Sequence, residues 1–350
     1  MLGVINQLND GHAELSSTLG QLDEYFGTRL ASPIIKFIEK RPIITGFYND
    51  SLKVLSPLQI GDEIISVDGK TISQYLKERW NKTPASNTQG KYKKLADGLL
   101  RSNNNELSVT YKRNRDIFTN NILTYSPAEM SNLFSFRNTL DTCFTMLTKE
   151  IAYIHIGSLK SSVLPNIIDK LRETKGLIID FRCYPTDYNS AFILASFLSS
   201  KPVSFVKGTI GSATIPGLFV SYDGGKFGEN NQNNYKGKTV VLVDEKTISA
   251  AEFATMLFQA IDNVTVIGTT TAGADGDISR IFLPGGLATN FSGVGILYPN
   301  GKETQRTGII LDIKVEPTIK GIKNGRDELI DKALTFISSS NSKMDKKTKK

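Results

Sequence analysis

Residues 239–261 read TVVLVDEKTISAAEFATMLFQAI. Val240, Val241, Leu242 and Val243 form an apolar run too short for a helix and rich in β-branched side chains, which predicts a buried strand. From Ala250 the period changes. Phe253, Met256, Leu257 and Ala260 recur at three- and four-residue spacing, the stripe of an amphipathic helix. Ser249 falls at the junction, where an N-cap belongs. A hydroxyl there lies beside unpaired backbone N–H groups and the positive end of a helix dipole. Ser249 either caps its helix or attacks a carbonyl while the Ala250 amide receives the oxyanion. Taken alone, this stretch favours the cap.

Around it lies a chain of 350 residues, long enough for two domains and a small third piece. A hydrophobic content of 39% with 22% charged residues places it among ordinary soluble proteins. No apolar run approaches the length of a membrane span, and no signal peptide is visible at the start. The net charge of +7 invites a nucleic-acid reading, but residues 341–350 carry five Lys and one Asp. That solvated tail accounts for most of the excess, so no nucleic-acid partner is expected. Two cysteines, Cys143 and Cys183, are too few for a disulfide framework, and no CxxC pair suggests a metal. Both read as small buried hydrophobes. The chain has two histidines, His12 and His155, so any Ser-His chemistry uses one of them.

In chain order, Leu2, Ile5 and Leu8 make an uncapped helical stripe that reads as truncated. Asn9-Asp10-Gly11-His12 ends it, with Gly11 suited to a left-handed helix terminus. A second helix is expected over 13–26. Strands at 33–37 and 42–47 flank the polar Glu39-Lys40-Arg41, a hairpin. Gly61-Asp62 then leads into a strand with Ile64, Ile65 and Val67, and Asp68-Gly69 is a turn signal. Helices at 72–81 and 92–100 precede strands at 106–112 and 116–124. The run Gly61-Asp62-Glu63-Ile64-Ile65-Ser66-Val67-Asp68-Gly69 resembles the PDZ domain, a small sheet that takes a peptide as an added strand. Any small α+β domain with a Gly-Asp turn is the plainer reading.

Beyond Pro127, strands (152–156, 176–181, 239–243, 264–268) alternate with helices (161–174, 188–198, and the one from Ala250). That alternation argues for a layered α/β core. Residues 208–237, rich in Gly and Asn, read as a long surface excursion. Strands at 278–283 and 293–298 and a helix at 326–337 follow, and the basic tail is expected to be disordered.

Several motifs converge on one family. Gly176-Leu177-Ile178-Ile179-Asp180-Phe181-Arg182, Thr247-Ile248-Ser249-Ala250-Ala251-Glu252, the 268–276 run GTTTAGADG and Gly308-Ile309-Ile310-Leu311-Asp312-Ile313 resemble the C-terminal-processing and tricorn-core serine peptidases. The resemblance covers roughly residues 1–335. It implies a mixed α/β chain in four parts: a short N-terminal helical piece (1–30), an inserted PDZ-like domain (31–127), a crotonase-like core of ββα units (128–337) and the tail (338–350).

Within that family Ser249 matches the nucleophile. One branch uses a lysine about twenty-five residues later, where this chain has Ala274; no lysine lies between Ser249 and Lys302. The other branch places a histidine after an N-terminal helix, and Asp10-Gly11-His12 matches that position. His12 is the implied general base, with His155 packing in its strand. A serine usually precedes that histidine; Gly11 stands here. The orienting glutamate aligns near Gln305, with Glu303 as the alternative. Ala250 and Thr186 would donate to the oxyanion, since Pro185 has no N–H. Asp275 would bind the substrate's main chain or stabilise its own turn.

The implied activity is cleavage of unstructured polypeptides through an acyl-enzyme without a cofactor, a substrate C-terminal segment docking at the PDZ-like domain. A degenerate, peptide-binding scaffold is the alternative. An acyl-CoA enzyme of crotonase type leaves the PDZ-like insertion without a use. Relatives usually work in the cell envelope, periplasm or extracellular space.

Overall fold

A computed structural model describes residues 1–18, 20–133 and 142–344, in two compact units. The first comprises residues 1–136, 279–291 and 317–327, and the second holds the rest. Segments 279–291 and 317–327, read from the sequence as part of the core, therefore belong to the first unit. So does the N-terminal piece.

The second unit is built on a sheet whose order, among the described residues, is Phe144–Met146, Ile151–His155, Gly176–Asp180, Lys238–Val243, Val264–Gly268 and Ile313–Lys314. The first pair is antiparallel and the remaining pairs are parallel. The central strands are buried on both faces, as their unbroken apolar runs require. Leu177, Ile179, Val241 and Val243 pack on one side with Leu194, Ala254 and Leu257 from the Tyr188–Leu198 and Ala250–Gln259 helices. Ile178, Val240 and Leu242 pack on the other with Leu329, Ala333 and Ile337 from the Glu328–Met344 helix. The result is helix, sheet, helix.

The final helix runs through Met344, past the expected boundary at 337, so residues 338–344 are helical rather than disordered. Residues 345–350 lie outside those described. The 208–237 excursion is also more ordered than its composition suggests. Lys207–Gly211 and Phe219–Asp223 form a hairpin, and the first strand pairs with Val294–Leu297.

The first unit centres on an antiparallel sheet. Its path runs Pro33–Ile38, Arg41–Phe47, Glu63–Val67, Glu106–Arg113, Asp116–Tyr125, Arg29–Ala31, Arg101–Ser102, with Lys70–Thr71 paired to Glu63–Val67 off that path. The Gly61-Asp62 and Asp68-Gly69 signals both mark real turns. Gly61 takes φ +92°, and Asp62 is buried, accepting from the Gln59 amide and holding Arg113 through both carboxylate oxygens. Asp68 and Gly69 both have positive φ, as a tight hairpin needs. The expected helix over 13–26 is instead a strand, Leu15–Ser17, and a helix, Gln21–Phe26. That strand pairs with Leu287–Ser292, a long-range contact no local pattern signals.

Candidate active site

Parallel strands end together, so the loops at their carboxyl ends share one edge of the sheet. Registers place His155 beside Asp180, Asp180 beside Leu242, and Val243 beside Gly268. Segments 156–163, 181–187, 244–249 and 269–276 therefore gather at that edge. Thr247 ties two of them, its hydroxyl donating to the Phe181 carbonyl at 2.8 Å.

Ser249 does not cap its helix. Its hydroxyl makes no capping hydrogen bond, and its backbone takes φ +56° and ψ −123°, which side-chain-bearing residues avoid. The cost of such a conformation, about 1–3 kcal/mol, must be offset by its surroundings. They are visible. The Ser249 amide donates to the Ala274 carbonyl at 2.9 Å, and its own carbonyl accepts from the Phe253 amide at 2.9 Å. A sharp strand–turn–helix corner of this type is a known way to present a nucleophilic serine. The Ala250 amide, at the first position of the Ala250–Gln259 helix, finds no acceptor among the described residues.

Glu252 locks the corner, a role the sequence reading left unassigned. Its fully buried carboxylate accepts from the Thr271 hydroxyl at 2.5 Å and from the Gly273 and Ala274 amides at 2.9 Å each. Burial pushes this carboxyl up to about 7, against the donors that favour its charge. One signal was available: Glu252 precedes Met256 by one helical turn, an acid on the stripe that faces the core. Thr271 extends the brace, its hydroxyl accepting from the Ile309 amide at 2.9 Å.

Asp275 follows directly. Burial, with the Glu252 charge second, holds its carboxyl well above the ordinary carboxylate range. One oxygen accepts from the Gly276 amide at 2.7 Å; Oδ2 is buried without a hydrogen-bond partner among the described residues. Gln305 sits half-buried on a segment stitched to the same turn, since the Arg306 amide donates to the Gly273 carbonyl at 2.8 Å. Glu303 is exposed.

Thr186 lies on the neighbouring loop, its hydroxyl donating to the Gly157 carbonyl at 2.9 Å. Its amide has no acceptor among the described residues. Cys183 accepts from the Gly157 amide, and burial pushes its thiol up to about 12, which makes it inert. His155 is buried at the end of its strand, Nδ1 3.1 Å from the Ser158 hydroxyl.

His12 belongs to the first unit. The left-handed residue after the Leu2–Asn6 helix is Asn9, at φ +49°, and not Gly11. The turn is held by the Gly11 amide donating to the Ser86 hydroxyl (2.7 Å), by Lys94 Nζ donating to the Gly11 carbonyl (2.8 Å), and by the His12 amide donating to Asp10 (3.0 Å). Ser86 thus supplies, from far along the chain, a hydroxyl beside the position where a serine was expected. His12 is buried, and burial lowers its pKa below the ordinary 6.5, with Asp10 opposing. A base kept neutral at physiological pH suits proton abstraction.

Residues 150–315 match the model of peptidase family S41. The likeness of this region is to family S41. The match spans the parallel strands, the Ser249 corner and the segment around Gln305. Mature CPAF complexed with lactacystin superimposes with a TM-score of 0.69 at 14% identity, covering 97% of this chain and 88% of that one. Mature CPAF alone gives 0.67 at 14%, covering 92% and 83%. The photosystem II D1 C-terminal processing protease gives 0.45 at 15%, covering 90% and 80%. No curated protein sequence matches. At such identities the CPAF likeness is one of fold, and the S41 match carries the enzyme class, a serine-type peptidase.

Proposed function

We propose that the chain cleaves unstructured polypeptides through an acyl-enzyme on Ser249, with His12 as general base. The observation that carries this reading is the strained Ser249 corner beside an Ala250 amide that finds no acceptor among the described residues. His12 takes the hydroxyl proton as the Ser249 oxygen bonds to the scissile carbonyl carbon. The amides of Ala250 and Thr186 receive the oxyanion. As the C–N bond breaks, the proton passes to the leaving amine, and water then repeats the sequence on the ester. Gln305 orients the histidine by hydrogen bonding, with Glu303 the alternative. Asp275, whose carboxyl burial holds above the ordinary carboxylate range, binds the substrate's main chain through Oδ2 while Oδ1 keeps the turn.

In this reading the second unit is a crotonase-like core, and residues 31–127 form a PDZ-like module that recognises a C-terminal segment of the substrate. The buried Asp62 turn supports that assignment. A polypeptide substrate follows from the family, and no helix among the described residues is long and apolar enough to cross a membrane.

A second reading, a peptide binder without turnover, draws on two positions. The oxyanion turn reads Cys183-Tyr184-Pro185-Thr186-Asp187, in which Pro185 has no N–H, and Gln305 brings no negative charge to hold an imidazolium. Hydrolysis of an unfolded, fluorescently labelled protein separates the two. A peptidase loses turnover in Ser249→Ala while retaining substrate affinity; the binder reading requires no turnover in the wild type.

A further inference from the structure

A cavity of about 540 Å³ lies wholly within the first unit; no residue assigned to catalysis lines it, and its Lys94 also holds the Gly11 carbonyl beside His12. Phe26, Leu30, Tyr48 and Tyr75 give it an apolar, aromatic wall. Five cationic side chains and two carboxylates also line it. Lys93 pairs with Asp97 at 2.5 Å and Lys94 with Glu14 at 3.3 Å, which uses both carboxylates. Arg79, Lys82 and Arg101 have no carboxylate partner among the described residues.

These three are held by neutral groups. The Arg79 guanidinium stacks over Tyr25 at 4.6 Å and Phe26 at 5.2 Å, and Nη2 donates to the Tyr25 carbonyl at 3.4 Å. Its Nη1 is buried with no acceptor among the described residues. Lys82 donates to the Tyr25 hydroxyl at 3.1 Å, and Arg101 to the Gly27 carbonyl at 3.4 Å. A buried charged donor without an acceptor marks a missing partner, and a fixed guanidinium fork matches carboxylate or phosphate. The aromatic wall adds a demand for an apolar body, and the volume suits a small ligand.

We propose that this cavity binds a small organic anion, a carboxylate or phosphate monoester carried on an aromatic or apolar body. The head meets Arg79, Lys82 and Arg101, and the body lies against Phe26, Tyr48 and Tyr75.

The single tryptophan, Trp80, follows Arg79 and packs on Tyr92 at 5.4 Å, which makes it a reporter. The full chain is titrated with phenyl phosphate, 3-phenylpropionate and neutral 3-phenylpropanol, following Trp80 fluorescence and calorimetry together. At least one anion saturates with a dissociation constant at or below about 1 mM, and the alcohol binds at least about tenfold more weakly. Saturation by phenyl phosphate alone assigns the phosphate ester; saturation by phenylpropionate alone assigns the carboxylate. Arg79→Ala weakens binding by about tenfold or more, whereas Lys93→Ala, already paired, changes it by less than about twofold. If circular dichroism shows that Arg79→Ala does not fold, Arg101→Gln carries the same expectation. No saturation by either anion to about 10 mM, equal affinity for the alcohol, or unchanged affinity in the folded cavity variant overturns the proposal.

Discussion

At Ser249 the chain accepts a backbone conformation that a glycine would adopt without strain. Ser249→Gly should therefore raise stability by about 1 kcal/mol, while Ser249→Ala, which keeps a Cβ, should not. Chemical denaturation of the two variants checks this, and both should lack turnover. Glu252 gives a second prediction. Its carboxyl is raised from 4.5 to about 7 in the folded chain, so folding takes up a proton between those values. The resulting stability is fully present below pH 4.5 and is lost as pH rises through 7. The thermal midpoint should thus fall between about pH 5 and pH 8, and Glu252→Gln should flatten that slope. A slope unchanged by the substitution would remove Glu252 from the account. Sequence placed Ser249 at the corner but misread its backbone, because strand and helix periods locate a junction without fixing the torsions inside it.

Among the elements, those shaped by burial were legible and those shaped by distant pairing were not. Tyr188–Leu198 and Val264–Gly268 emerged with their boundaries because one face or both must be apolar. The Lys207–Gly211 and Phe219–Asp223 hairpin was missed. Its second strand is exposed throughout and is held by backbone hydrogen bonds, which leave no hydropathy pattern. The Leu15–Ser17 strand depends on a partner strand that begins at Leu287, far along the chain. The turn at Gly61-Asp62 was legible through residue chemistry, and its half-buried ion pair carries a prediction. Asp62 is buried while Arg113 keeps 26% of its side chain exposed, so Asp62→Ala chiefly removes the acceptor of the Gln59 amide and of Arg113 and should destabilise the first unit by about 2 kcal/mol. A loss below about 1 kcal/mol in urea denaturation would show that the pair does not hold the turn.

For the whole molecule, the proposed reaction pairs Ser249 as nucleophile with His12 as base. The S41 match supports the enzyme class, while the pairing of His12 with Ser249 rests on the resemblance and on the chemistry of each site. If residues 31–127 recognise a substrate C-terminus, amidating that terminus should raise KM by about tenfold with kcat little changed, in steady-state assays on matched peptides. Equal KM values would separate the module from substrate recognition. The most direct measurement is the rate of covalent labelling by a fluorophosphonate across pH, for the wild type, Ser249→Ala, His12→Ala and His155→Ala. The account predicts labelling of the wild type and of His155→Ala, with an acid limb below pH 6.5, where burial places the His12 titration. Ser249→Ala should not label, and His12→Ala should label at least about a thousandfold more slowly. Labelling that survives in His12→Ala and disappears in His155→Ala would contradict the central claim and move the base to His155.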